Sequence, residues 1–175
     1  DHPDVLAMRE EMKNVVRYWM DLGADGFRAD MAGALVKSTR YRGNSQFYAN
    51  KASGTQKFWQ EVREILDREY PGSFMVAEWS HPISAIEGGF HADFYHWFSG
   101  FNDLFQKESW RILNGLSEGH SFFDAEGKGN ITDFLAGYME QYEAVKGKGF
   151  VCIPVGNHDI ARINNNRSPK ELEMI

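Results

Sequence analysis

An amphipathic helix that stops at glycine and hands over to a short apolar run occurs near the start of the chain and then occurs again. No other feature of the sequence constrains the fold as strongly. Val5, Met8, Met12, Val15, Val16, Trp19 and Leu22 fall at steps of three and four, the helical period, with Pro3 in the first turn and Gly23 at the end. Asp25 to Asp30 follows as a short buried strand flanked by Gly26. Phe58, Val62, Ile65, Leu66 and Glu69 mark a second helix, stopped by Pro71-Gly72, and Ser73 to Glu78 is the next strand. A third strand is expected at Ala92 to Tyr95 and a helix between Phe101 and Leu113. Asn130, with Asp133 three residues later, reads as the cap of a helix through Phe134, Leu135, Tyr138, Tyr142 and Val145. The turn Lys146-Gly147-Lys148-Gly149 then leads into a last strand, Phe150 to Val155, and Ser168-Pro169 opens another helix.

Strands alternating with helices predict parallel βαβ units joined by right-handed crossovers, an α/β architecture. A closed eight-stranded barrel of this type takes ~200 to 250 residues or more. With 175 residues and four visible strands, the chain is either an open doubly wound sheet or part of a barrel. It opens on Asp1 and closes on a helix start, which reads as a piece of a longer chain, and no boundary between two domains is evident.

Partners are narrowed by charge. With 19 basic against 25 acidic side chains the net is -6, the wrong sign for neutralising phosphates, so nucleic acid is not an expected partner. No apolar run approaches the ~20 residues of a membrane-spanning helix, and no membrane is expected. The single cysteine, Cys152, cannot form an internal disulfide and leaves the redox compartment open; it reads as a small buried hydrophobe. The compartment itself stays unknown.

Three strand ends finish on a carboxylate: Asp30 after Gly26-Phe27-Arg28-Ala29, Glu78 after Phe74-Met75-Val76-Ala77, and Asp159 after Gly156-Asn157-His158. In a parallel α/β sheet the C-terminal strand ends open onto one face, where acids distant in sequence converge. The two-residue period of a strand turns Arg28 and Asp30 to one side and Phe27 and Ala29 to the other, so Arg28 can hold Asp30 ionised. Taken singly, Asp30 with Arg28 also reads as a structural ion pair, Glu78 as a solvated terminal charge, and His158 with Asp159 as a turn.

Together, Asp25-Gly26-Phe27-Arg28-Ala29-Asp30, Ala77-Glu78-Trp79 and Asn157-His158-Asp159 resemble, in order, signature segments of the α-amylase family of glycoside hydrolases. The resemblance covers essentially the whole chain, from the helix before the family's fourth barrel strand to just past its seventh. It implies part of a single (β/α)8 barrel, about strands four to seven with their helices, lacking the N-terminal strands and the last one. Asp30 would be the nucleophile, Glu78 the general acid and base, and Asp159 the carboxylate that stabilises the transition state. Arg28 and His158 would bind sugar or tune charge. The chemistry suits those types: a retaining glycosidase needs one ionised and one protonated carboxyl ~5 to 5.5 Å apart. An apolar setting for Glu78, for which Ala77 and Trp79 are candidates, would keep it protonated near neutral pH.

The resemblance thus implies a retaining enzyme acting on α-glucans or related oligosaccharides, this segment alone being inactive. A transglycosylase or a hydrolase of sucrose or short oligosaccharides within the family is the alternative, and a non-catalytic accessory barrel is the alternative of another class. Amylases of the family carry Lys-His three and four residues beyond the nucleophile, where this chain has Gly33 and Ala34, which removes a sugar contact and weakens a calcium prediction. No cofactor is evident; calcium in a parent protein is compatible with the family but unsupported by this segment. Open sheet edges predict self-association of two copies.

Trp79 directly follows Glu78 and is the aromatic expected to line the cleft, with Tyr41, Arg42 and Tyr48 of the long loop after the first strand as weaker candidates. Trp59, Trp97 and Trp110 read as core. His81, His91, His96 and His120 lack metal-ligand spacing, so no metal site is predicted. Arg162 is a candidate anchor for the loop carrying Asp159. Asn130-Ile131-Thr132 and Asn166-Arg167-Ser168 match the glycosylation pattern, but both asparagines read as caps or loop residues.

Overall fold

A computed structural model of the chain describes residues 2–36, 53–105, 121–160, 162–164 and 167–175. Helix α1 (Pro3–Asp21) leads into strand β1 (Gly26–Ala29) and a 3-10 turn, Ala32–Ala34. Helix α2 (Ser53–Glu69) precedes β2 (Phe74–Ala77), and a short helix α3 (Pro82–Glu87) precedes β3 (Ala92–Phe94). Then come α4 (Ser99–Phe105), α5 (Thr132–Val145), β4 (Phe150–Cys152) and α6 (Pro169–Met174). All four expected strands are present. Helix α3, with only six residues, is too short to carry a readable period. Residues 106 to 113 of the expected helix after Phe101 lie outside the described residues.

The caps follow from local chemistry. Ser168 and Glu171 form a reciprocal capping box, the Ser168 hydroxyl accepting from Glu171 N and the Glu171 carboxylate from Ser168 N at 2.7 Å. Asn130 stands one residue before the cap position of α5, which Ile131 occupies, and its side chain accepts from Thr132 N at 2.8 Å.

The sheet is wholly parallel in the order β1-β2-β3-β4. An open doubly wound sheet reverses its strand order at a switch point. No reversal occurs among these strands, so each crossover advances the sheet by one position in one direction, as successive staves of a barrel do. Register pairs Arg28 with Val76 and Ala29 with Ala77, and Ala77 in turn with Asp93. Paired residues share a face, so the sheet sorts its side chains into two sets. Ala29, Met75 and Ala77 face the helices and are buried with Met20 of α1, Val62 and Leu66 of α2, and Phe90. Arg28, Val76 and, beyond the strand ends, Asp30 and Glu78 occupy the other face.

A second apolar cluster unites Phe101, Leu104 and Phe105 of α4 with Phe134 of α5 and Ile160 from the loop after β4. Each fully buried Phe or Leu there is worth ~1.5 to 3 kcal/mol. Gly100 permits the two helices to meet, because a Cβ at that position would stand 2.5 Å from the Phe134 Cα.

Helix α1 forms as its periodicity predicts but packs differently. Of the stripe marked by the period, Val16 is half-buried against the core, while Val5, Met8, Met12, Val15, Trp19 and Leu22 are exposed; Met20 and Lys13 are buried. Helix α2 is met by ion pairs, Lys13 to Glu61 at 2.7 Å, Arg9 to Glu61 at 3.2 Å and Arg17 to Glu69 at 2.7 Å. The stripe lies away from the α2 contact, so burial follows the ion-paired side. No helix among the described residues is long and apolar enough to cross a membrane.

Candidate active site

The site is built from the turns that follow β1, β2 and β4. After β1 the chain bends sharply at Met31, whose φ of 45° puts a non-glycine residue in the left-handed region. This bend seats the segment on Glu78. Met31 N donates to the Glu78 carboxylate at 3.3 Å, Glu78 N donates to Ala29 O at 2.9 Å, and Ala32 N donates to Glu78 O at 3.1 Å.

The Arg28 guanidinium spans the two acids. Its Nη1 bonds Asp30 Oδ1, and its Nη2 lies 2.7 Å from Glu78 Oε2. Asp30 and Glu78 also act on each other's protonation, Glu78 favouring the ionised form of Asp30 and Asp30 disfavouring that of Glu78. Their surroundings push them in opposite directions. The hydrogen bond from Arg28, before all else, holds the exposed Asp30 carboxyl below its ordinary range, and His158 acts the same way. Burial pushes the Glu78 carboxyl up, the negative charge of Asp30 reinforces that, and Met31 N–H and Arg28 oppose it. Two carboxyls with separated protonation tendencies are what acid–base assignment on a glycoside requires.

After β4 an Asx turn presents the third acid. Asn157 Oδ1 accepts from Asp159 N at 2.7 Å and Ile160 N at 2.9 Å, and His158 Nε2 lies 3.2 Å from Asp159 Oδ2. The loop is secured by the buried Ile160; Arg162, expected to anchor it, is exposed.

Trp79 sits elsewhere than expected. Two residues beyond Ala77, it shares the helix-facing side, where its indole meets Phe90 edge-on at 6.5 Å and joins the core around Leu66 and Met75. Glu78 is therefore desolvated not by Ala77 and Trp79 but on the opposite face, among Arg28, the Met31 backbone and His96. The indole also explains the glycine three residues beyond Asp30: a Cβ on Gly33 would stand 2.7 Å from Trp79 Cδ1. No side chain fits at position 33 while that ring is in place. Gly33→Ala is accordingly expected to destabilise the chain by ~1 to 3 kcal/mol, the cost of overpacking. Urea denaturation checks this, and the added change Trp79→Leu is expected to recover most of the loss; a Gly33→Ala chain as stable as the parent would contradict the placement of the indole.

The backbone after Glu78 is stapled to β3. Asp93, fully buried, accepts from Trp79 N and His81 N, each at 2.8 Å, and Ser80 Oγ donates to Phe94 O at 3.1 Å across a left-handed Ser80 at φ 53°. Burial pushes the Asp93 carboxyl up to about 7 in spite of these donors.

The residue that sequence reasoning passed over is His96. Its spacing in the sequence bears only on metal binding, yet it lies fully buried with Nε2 3.9 Å from Glu78 Oε1. Strand parity was the available signal, since Phe94 and His96 are two residues apart and share the side of Glu78. Tyr41, Arg42, Tyr48, Trp110, His120 and Asn166 lie outside the described residues. Among the described residues no group of three or more His, Cys, Asp or Glu could hold a metal ion.

Comparison with known proteins follows the same line. Residues 4–171 match the family described as alpha amylase, catalytic domain. The trehalose synthase/amylase TreS of Mycolicibacterium smegmatis is 38% identical over 88 residues, 49% of this chain and 14% of that protein. A Mycobacterium tuberculosis (strain CDC 1551 / Oshkosh) protein of the same description is 36% identical over 75 residues, 43% of this chain and 12% of its own length. The matched stretch thus spans about one-seventh of the first of these relatives.

Proposed function

The chain belongs to the alpha-amylase catalytic-domain family, its parallel sheet being part of a (β/α)8 barrel, and from that premise we propose that it carries the catalytic segment of a retaining α-glycosidase. On this reading β1 to β4 are strands four to seven of one barrel whose remaining strands lie outside this sequence. The isolated segment is inactive, because four strands enclose only part of a barrel's ligand-binding face.

One observation carries the mechanism: a single guanidinium contacts both Asp30 and Glu78 while their environments separate their protonation states. A fork of that size suits the ~5 to 5.5 Å carboxyl spacing of retaining enzymes better than the ~6.5 to 9.5 Å that leaves room for a water. In the first step an Asp30 oxygen bonds to the anomeric carbon as the glycosidic C–O bond breaks, and Glu78 gives its proton to the departing oxygen. In the second, Glu78, now a carboxylate, takes a proton from water. That water's oxygen displaces Asp30 from the anomeric carbon, and overall configuration is retained. Asp159 faces the cation-like transition state, while Arg28 holds Asp30 ionised and His158 stands beside Asp159.

A sugar hydroxyl replacing water in the second step turns the same chemistry into glycosyl transfer. The relatives' description as trehalose synthase/amylase favours this second reading. The decisive assay uses the full-length protein that contains this segment, incubated with α-glucans and with maltose and followed by proton NMR. Release of the α-anomer first supports retention, and a trehalose signal from maltose supports transfer. Initial release of the β-anomer contradicts a retaining mechanism, and inertness on every α-glucoside favours a non-catalytic accessory barrel.

A further inference from the structure

His96 occupies a place that the two-carboxylate mechanism leaves unused. The ring is fully buried past the end of β3, with Nε2 3.9 Å from Glu78 Oε1 and 3.4 Å from Asn157 Nδ2. Both oxygen lone-pair directions of Asn157 are occupied, since Oδ1 already accepts from Asp159 N and Ile160 N. The atom facing the ring is therefore the amide nitrogen, which can only donate. Nε2 must then be the acceptor, and a neutral ring carries its proton on Nδ1. Among the described residues Nδ1 has no partner in hydrogen-bonding geometry, although the Phe94 carbonyl favours a proton on the ring.

Neutrality follows from the surroundings. Burial, first of all, pushes the imidazole down to about 4, and Arg28 from β1 acts in the same direction; Asp159 from the β4 loop opposes it. Among the described residues, Glu78 from the end of β2 also faces the ring. An unprotonated Nε2 has a single lone pair, which Asn157 Nδ2 engages at 3.4 Å and which a second donor at Glu78 Oε1 would share as a three-centre bond. A carboxylic acid can aim its proton there, whereas a carboxylate would meet lone pair with lone pair. The 3.9 Å gap is beyond hydrogen-bond range, and catalytic contacts of this kind shorten when substrate is bound.

We propose that His96, in its neutral Nδ1–H form, is a positioning residue that couples the Asn157–Asp159 turn to Glu78 and keeps the general acid protonated until the leaving oxygen needs its proton. This rests on the functional reading above, and two independent measurements separate their failures.

The first needs no activity: nitrogen-15 NMR of the imidazole rings, in the protein as expressed, with His96→Gln to assign the signals. A neutral Nδ1–H tautomer that does not titrate between pH 6 and 8 is expected. An Nε2–H tautomer or an imidazolium in that range would overturn the proposal whatever the protein catalyses. The second compares His96→Leu and His96→Gln in the full-length enzyme on α-glucosyl fluoride and on an unactivated α-glucoside. Fluoride leaves with little protonic help. His96→Leu is therefore expected to lose roughly tenfold more on the unactivated substrate, a part of the ~10² to 10⁴ that general acid catalysis supplies, with His96→Gln recovering most of it. Equal losses on both substrates would assign His96 a purely structural role. A wild-type protein inactive on both would remove the functional reading and this role with it, while the tautomer result would still stand or fall alone.

Discussion

Asp30→Gly in the full-length enzyme is expected to lower kcat on α-glucosyl fluoride by at least ~10⁴-fold, and azide is expected to restore turnover with formation of β-glucosyl azide. The inverted product follows from geometry. Removing the Asp30 side chain opens the face from which it attacks, and azide entering there displaces fluoride in one step rather than two. The variant should fold, because Asp30 is exposed and its main partner, Arg28, keeps Glu78 as a second anchor. Mass spectrometry for the azide adduct and NMR for its configuration check the result. An adduct of retained configuration, or hydrolysis unaffected by the change, would remove Asp30 from the nucleophile's place.

Glu78→Ala is expected to behave in the opposite stereochemical sense. Loss on unactivated glucosides should reach ~10² to 10⁴-fold, while α-glucosyl fluoride still forms the intermediate on Asp30. Azide then attacks that intermediate from the side vacated by Glu78 and yields the α-azide. The pH profile follows from the same two groups. Activity needs Asp30 ionised and Glu78 protonated. Arg28 holds Asp30 down, so the acid limb lies below the ordinary carboxylate range. Burial raises Glu78, so the basic limb lies above it. In Glu78→Ala with the fluoride the basic limb should vanish; a limb that persists would mean that another group titrates there.

The stability of the fold responds to Glu78 with a definite sign. A carboxyl whose folded pKa is raised contributes stability fully below its unfolded pKa, and that contribution is lost as pH rises through the folded value. Glu78→Gln, with no charge to bury, should accordingly lose less stability than the parent between acid and neutral pH, the trade usual at active sites. Asp93, raised by burial to about 7, adds to the same trend.

Much of this site is local in origin and hence readable from spacing. A strand of period two places Arg28 and Asp30 on one side whatever surrounds them, and they do pair. Ser168 with Glu171 three residues on closes a capping box within a single turn. The positions of Asp30 and Glu78 directly after their strands follow from the helix–strand alternation that delimits those strands, whereas β4 ends at Cys152 and leaves Asp159 in the loop beyond it. The amphipathic period of α1 likewise marks a helix, since backbone geometry sets it, yet it misjudged which side would be buried. Lys13 is buried through Glu10 and Glu61, and Glu61 lies 48 residues further along the chain.

Alone, the sequence determined the four strands and their order along the chain, the α/β class, the acids that follow them and the family to which their flanking residues belong. Tertiary structure decided the rest: that the strands run in unbroken order, that Trp79 fills the space above Gly33 instead of lining the cleft, and that His96 lies between Glu78 and Asn157. The division has one physical cause. Periodicity and capping are set by neighbours within a turn or two, whereas desolvation, and with it the protonation of Glu78, depends on side chains brought together from different strands.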